Sequence, residues 1–192
     1  MNLSIPNLLQ VALDKIIAQV TAITNSRAVV VAGGCLRDSV NGVPIKDIDV
    51  FVRSDVDAHT FLTLLSLEYP GAKIQFNLSY SSSEIHMVYD LGVDVDGSPV
   101  QLIQLKNGDT IEEITNRIDI GLCQISYGPN GLYYTGAFLQ DFLNNTFTVV
   151  NCREESAVAR TEGRIERLSK KYPGRKAVWP PEFLHMGHTT YA

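Results

Sequence analysis

The chain has 192 residues, 45% of them hydrophobic and 19% charged, a length and composition that suit one domain with a sizeable core and exclude large-scale disorder. The formal net charge of −5 is uneven: residues 153–176 hold eight basic and four acidic side chains, a net +4, so the rest carries −9. So acidic a body makes a poor general nucleic-acid binder, and the basic segment is either a local candidate for phosphate contact or a solvated helix face of mixed charge.

In chain order, residues 5–23 place apolar side chains at 9, 12, 13, 16, 17 and 20, the period of an amphipathic helix, with Pro6 suited to its first turn. Asn7, Gln10, Asp14, Lys15 and Gln19 interrupt that stretch, so neither a secretory leader nor a membrane span is expected there, and the chain is expected to be cytoplasmic. Residues 28–32 form a β-branched run that ends at Gly33-Gly34, the pattern of a buried strand. A short helical turn over 36–40 is predicted to stop at Asn41-Gly42, both tolerant of the left-handed helix end. A second strand is expected over 45–52, and Ser54 or Asp55 is expected to cap a helix carrying Phe61, Leu64, Leu65 and Leu67.

From there the apolar period is two. Strands are predicted over 73–78, 84–93 and 100–105, with Asp96-Gly97 as a hairpin turn, and Asp109-Thr110-Ile111-Glu112 resembles a capping box. Residues 118–127 fit a strand or a helix equally. Gly128 to Gly131 reads as a turn, 137–143 as a helix, 147–150 as a strand and 154–172 as a helix. That last helix carries one stripe of Val158, Ile165, Leu168 and Tyr172, and another of Arg160, Arg164, Arg167 and Lys171. Cys35, Cys123 and Cys152 are widely spaced and lack a CxxC pair, so they are expected as reduced, buried residues. His185 and His188 lack a Glu or Cys at zinc spacing and are expected in a mobile tail.

The chemistry gathers in residues 29–52, VVVAGGCLRDSVNGVPIKDIDVFV. Alternation along a strand sends Asp47 and Asp49 to one face while Ile48 and Val50 enter the core. Two neighbouring carboxylates repel, and a divalent ion is the usual remedy; Mg²⁺ takes one or two carboxylates together with substrate phosphates. Upstream, Gly33 and Gly34 let backbone N–H groups approach a polyphosphate at a helix start, and Arg37 lies one turn further on.

The pattern Gly-Gly, two residues, Arg37-Asp38, a loop with Gly42, then Asp47-x-Asp49 resembles the head domain of bacterial poly(A) polymerases and tRNA nucleotidyltransferases, within the DNA polymerase β-like nucleotidyltransferase superfamily. The resemblance covers roughly residues 28–172. It implies an α/β fold with a mixed sheet flanked by helices, a head domain over 1–176 that includes the basic helix, and a tail over 177–192. It further implies that Asp47 and Asp49 bind Mg²⁺ or Mn²⁺, that Gly33 and Gly34 hold the triphosphate, and that Arg37 and Asp38 organise that loop. The activity implied is transfer of a nucleoside monophosphate from an NTP, ATP above all, to a hydroxyl acceptor such as an RNA or tRNA 3′ end. Arg117 sits where the family contacts nucleotide, and Arg164, Arg167 and Lys171 on the basic helix are candidates for phosphate or RNA.

The superfamily adds a third carboxylate on a neighbouring strand. Gln101 occupies the expected strand with a neutral amide, and Asp119, in an apolar-acid-apolar setting, is the alternative third acid. Two further readings stay open: a non-catalytic nucleotide- or RNA-binding module on this fold, and a nucleotidyltransferase-type toxin or antitoxin acting on tRNA or protein.

Overall fold

A computed structural model of the chain describes residues 3–26, 28–75, 85–152 and 155–181. The chain divides into two compact units: residues 1–115 with 125–133, and residues 116–124 with 134–192. Both units take in part of residues 1–176, the range expected as one head domain.

The first unit is built on a mixed seven-stranded sheet in the order β3-β4-β5-β2-β1-β6-β7. Its strands are β1 (Val29–Ala32), β2 (Ile48–Arg53), β3 (Lys73–Ile74), β4 (Ile85–Val95), β5 (Ser98–Leu105), β6 (Ile125–Gly128) and β7 (Gly131–Tyr134). β2 and β5 run parallel, with Ile48 beside Val100 and Asp49 beside Gln101, whereas β1 is antiparallel to both of its neighbours. Helices α1 (Asn7–Thr24), α2 (Gly34–Val40), α3 (Ala58–Glu68) and α4 (Ile111–Asn116) complete the unit.

Period two divides the sheet into two faces. Ile48, Val50, Val52, Val100, Leu102 and Tyr89 are fully buried on one of them. α3 packs there through Phe61, whose ring centroid is 5.1 Å from that of Tyr89, and α1 is tied there by a 2.7 Å hydrogen bond from the Tyr127 hydroxyl to Asp14. A buried Phe of this kind contributes roughly 1.5–3 kcal/mol. The opposite face is apolar along half its length: Val30, Val88, Ile103 and Leu105 pack with Ile114 of α4, joined by the partly buried Phe51 and Ile111. Toward the start of β2 and β5 the same face turns polar, at Asp49 and Gln101.

Several expectations are met. α2 stops at Asn41-Gly42, with Gly42 at φ 65° and the Asn41 side-chain amide donating to the Arg37 carbonyl at 2.7 Å. The β4–β5 hairpin turns through Asp96 and Gly97, both at positive φ, which matches the twist of the flanking strands. All three cysteines are buried and none is in a disulfide.

Others are corrected. The cap of α3 is Asp57, which accepts from the His59 and Thr60 N–H groups at 3.1 Å, rather than Ser54 or Asp55; only Asp57 stands two and three residues before those N–H groups. At α4 the reciprocal pair is Thr110 with Glu113: the Glu113 N–H donates to the Thr110 hydroxyl, and the Asp109 N–H donates to the Glu113 carboxylate. The part of the predicted 73–78 strand beyond Gln75 lies outside the described residues, as do His185 and His188.

The second unit holds a short 3₁₀ turn (Gly121–Cys123), α5 (Gly136–Asn144), β8 (Thr146–Thr148), α6 (Glu155–Lys171) and β9 (Lys176–Val178). Residues 118–127, open between strand and helix, are neither throughout: Ile120 bridges Val149, the 3₁₀ turn follows, and β6 begins at Ile125. β9 lies partly in the stretch expected as tail and pairs in parallel with β8, Phe147 beside Ala177. Asp141 of α5 is fully buried and organises the unit. Its carboxylate accepts from the Leu122 and Thr148 N–H groups at 2.8 Å and from the Thr146 and Thr148 hydroxyls at 2.6 Å. The predicted apolar stripe of α6 is buried, with Tyr172 edge-on to Phe147 at 6.1 Å. Among the described residues no helix is long and apolar enough to cross a membrane.

Candidate functional site

In the first unit the site forms where β1 ends. Gly33 follows Ala32 at φ 81° and ψ −120°, a conformation that only glycine adopts cheaply, and this bend reverses the chain from strand into α2. Its N–H donates to the Ile125 carbonyl of β6 at 2.9 Å. Gly33 therefore contributes the turn, and its own amide is committed to the sheet. Gly34 is the first residue of α2; a Cβ there would meet only the Arg37 guanidinium, at an ordinary 3.7 Å.

Arg37 and Asp38 are both buried, and Nε and Nη2 of Arg37 contact Asp38 Oδ1 at 2.8 and 2.6 Å. The Asp38 carbonyl also accepts the Val43 N–H at 2.9 Å. That backbone contact ties the end of α2 to the loop that leads toward β2.

Asp49 lies in β2 between the buried Ile48 and Val50, and its Oδ1 is buried. Asp47 precedes the strand, which begins at Ile48, so the expectation of two acids inside one strand is corrected; its side chain is one-third exposed and Lys46 approaches it at 3.3 Å. The two acids nevertheless converge electrostatically. The Cys35 thiol of α2 is fully buried and its pKa is pushed far up, first by burial, then by Asp49, with smaller contributions from Asp38 and Asp47. Three carboxylates therefore act on one point below α2, and Cys35 stays a neutral thiol.

Beside Asp49 stands Gln101, its register partner on β5. Gln101 is in turn the register partner of Asp90 on β4, and Lys73 of β3 lies opposite Asp90 with Nζ 3.5 Å from its carboxylate. The polar end of the face is thus a row, Lys73, Asp90, Gln101, Asp49, across four adjacent strands. Lys73 and Asp90 are not singled out by the sequence; the available signal was an acid just before Leu91-Gly92 in a strand, where glycine marks a bulge. Among the described residues no group of three or more His, Cys, Asp or Glu side chains is arranged to hold a metal ion.

The remaining predicted residues belong to the second unit. Asp119 is 9% exposed, and both of its oxygens are engaged, Oδ2 by the buried Thr161 hydroxyl and Oδ1 by Arg164, each at 2.7 Å. The structure thus joins two residues expected in separate roles, a third acid and a phosphate contact. Asp119 also raises the pKa of the Cys152 thiol, behind the larger effect of burial. Arg117 is half-buried, and its carbonyl accepts the Asn151 amide at 3.1 Å. On α6, Arg167 is exposed and Lys171 half-buried, while Lys170 is bound to Glu166 at 2.7 Å.

A family model described as Gad2, Gabija anti-defense 2 family protein, matches residues 4–145. Comparison with curated proteins gives no match. Among solved structures the chain is similar to a tRNA-processing enzyme in an apo form, at TM-score 0.61 and 14% identity over 93% of this chain and 46% of that one. It is similar to the Thermotoga maritima CCA-adding enzyme complexed with tRNA, at TM-score 0.58 and 16% identity over 96% and 42%. A third is the Bacillus stearothermophilus CCA-adding enzyme in complex with CTP, at TM-score 0.58 and 16% identity over 94% and 43%. The chain spans less than half the length of each of these proteins, and the likeness establishes a nucleotidyltransferase-like fold.

Proposed function

The chain belongs to the Gabija anti-defense 2 family, and from that premise we propose that it is an anti-defence factor that works as a metal-dependent nucleotidyltransferase. It moves a nucleoside monophosphate from an NTP, ATP above all, to a hydroxyl acceptor, with an RNA or tRNA 3′ end the favoured class. The observation that carries this reading is the placement of Asp49 in β2, with Asp47 just before it, on the strand paired with the β1 that Gly33 turns into α2.

The donor set suits Mg²⁺ or Mn²⁺. Asp47 and Asp49 offer hard oxygens, Mg²⁺ habitually completes its shell with water and substrate phosphate, and the protonated Cys35 supplies no competing thiolate. When bound, the ion supplies charge stabilisation at the phosphoryl oxygens. The chain's own part is positioning: Gly33 sets the turn, Gly34 leaves room for a phosphate at the start of α2, and the Arg37–Asp38 pair fixes the loop. Arg117, Arg167 and Lys171 are the remaining candidates for nucleotide or RNA contact. Asp119, neutralised by Arg164, is assigned to the architecture of the second unit.

The test is incorporation of labelled nucleotide from each of the four NTPs with Mg²⁺ or Mn²⁺ into pooled tRNA, RNA and protein acceptors. Replacing Asp47 and Asp49 together by alanine abolishes incorporation and leaves the melting temperature and circular dichroism of a folded protein; unchanged incorporation refutes the assignment. A second reading, a non-catalytic nucleotide- or RNA-binding module, is favoured by Gln101 beside Asp49, and it expects NTP binding without pyrophosphate release under either metal.

A further inference from the structure

Nucleotidyl transfer needs a group that takes the proton of the attacking hydroxyl. Gln101, in register with Asp49, has a neutral amide that takes none. One strand further, Asp90 is in register with Gln101, and directly opposed residues share a face. With strands about 4.8 Å apart, the Asp90 backbone stands about 9.6 Å from that of Asp49, with the Gln101 side chain between them on the same face.

The surroundings of Asp90 are built to aim it. The register between β4 and β5 shifts between Asp90 and Asp94, a bulge of the kind that redirects side chains next to functional sites. Within it Gly92 has φ 68°, and a Cβ on Gly92 would lie 2.8–2.9 Å from the backbone of Gly71, so that position demands glycine twice over. The Gly92 N–H donates to Asp90 Oδ1 at 2.9 Å, and Lys73 stands 3.5 Å from Oδ2. β3 pairs with β4 on its outer side, so Asp90 is not at an open sheet edge. Its side chain is 24% exposed, accessible to a substrate while held in place from both sides.

We propose that Asp90 is the acceptor-side base of this site, with Gln101 orienting the acceptor hydroxyl between Asp90 and Asp49; the proposal rests on the nucleotidyltransferase reading. In the step it serves, the hydroxyl proton moves to the Asp90 carboxylate and the hydroxyl oxygen bonds to the α-phosphorus of the NTP. The bond from that phosphorus to the oxygen bridging to the β-phosphate breaks, and its electron pair leaves with pyrophosphate. Asp90 then returns its proton to solvent.

The experiment compares the full chain with D90N and D90E. It measures kcat and KM for NTP-dependent labelling of tRNA or a short RNA with a free 3′ hydroxyl, calorimetric binding of a non-hydrolysable NTP analogue, and thermal melting. D90N is expected to lower kcat about 100-fold or more, with analogue affinity and melting temperature retained, and D90E to recover part of the rate. An active wild type with D90N within about threefold of its kcat overturns the role of Asp90 alone. A wild type that binds the analogue and labels no acceptor overturns the transfer reading and this base with it.

Discussion

The two units handle buried acid in opposite ways. In the second, Asp141 accepts four hydrogen bonds and Asp119 is met by Thr161 and Arg164, so each carboxylate is consumed by the structure that surrounds it. In the first, Asp38 is held by Arg37 and Asp47 is approached by the exposed Lys46, while Asp38, Asp47 and Asp49 all raise the pKa of the single buried Cys35 thiol. Satisfied acids hold an element together, whereas gathered acids are suited to a cation or a phosphate-bearing substrate. Asp49 and Asp119, each between two apolar residues in the sequence, thus meet two different surroundings.

The largest expected effect is on chemistry. Asp49→Ala is predicted to lower nucleotide transfer by more than about 100-fold while the melting temperature stays level or rises, because removing one of several like charges relieves repulsion. Retained transfer would erase the contrast between the units. Next, Asp141→Ala is predicted to cost more than about 3 kcal/mol in chemical denaturation, since it strands the Leu122 and Thr148 N–H groups in a buried place. A loss below about 1 kcal/mol would mean those groups find water.

Gly33→Ala forces a side chain into a glycine-only conformation and is predicted to cost about 1–3 kcal/mol, with transfer impaired beyond what instability explains. Asp119→Asn sharpens the comparison most directly. It is predicted to destabilise by about 1–2 kcal/mol through the buried Thr161 hydroxyl, the half-exposed Arg164 adding little, and to leave transfer within about twofold. Loss of transfer with intact stability would instead return Asp119 to the third-acid role.

The smallest effect concerns the exposed cap of α3. The Thr60 hydroxyl and the N–H groups of Thr60 and His59 hold the Asp57 carboxyl below its ordinary range, so its contribution is present at neutral pH and fades as pH falls through the lowered pKa. Asp57→Ala is predicted to lower the melting temperature by about 2–4 °C at pH 7, with the difference from wild type vanishing in strong acid.

Local signals explain what was legible. The Gly-Gly turn, the α2 stop at Asn41-Gly42, the Asp96-Gly97 hairpin and the apolar stripe of α6 each follow from backbone freedom or periodicity within a few residues, and the structure contains them all. Tertiary partners explain what was not. The partners of Asp119, the Thr161 hydroxyl and the Arg164 guanidinium, are silent in the sequence because they lie 42 and 45 residues away. β9 reads as tail because its pairing with β8 comes from across α6. Asp90 is silent in the sequence because its meaning lies in register with Gln101 and in the approach of Gly71 to Gly92.

The parallel pairing of β2 with β5 also bears on when the site can exist. Asp49 and Gln101 are brought side by side only after the chain has passed through α3, β3 and β4, a closure of about 50 residues whose entropy must be met before any contact rewards it. A ribosome that has released residues 1–95 has made Gly33, Asp47 and Asp49 without the strand that flanks them. Assembly of the site is thus tied to the arrival of β5, a non-local parallel pairing of the kind that forms slowly.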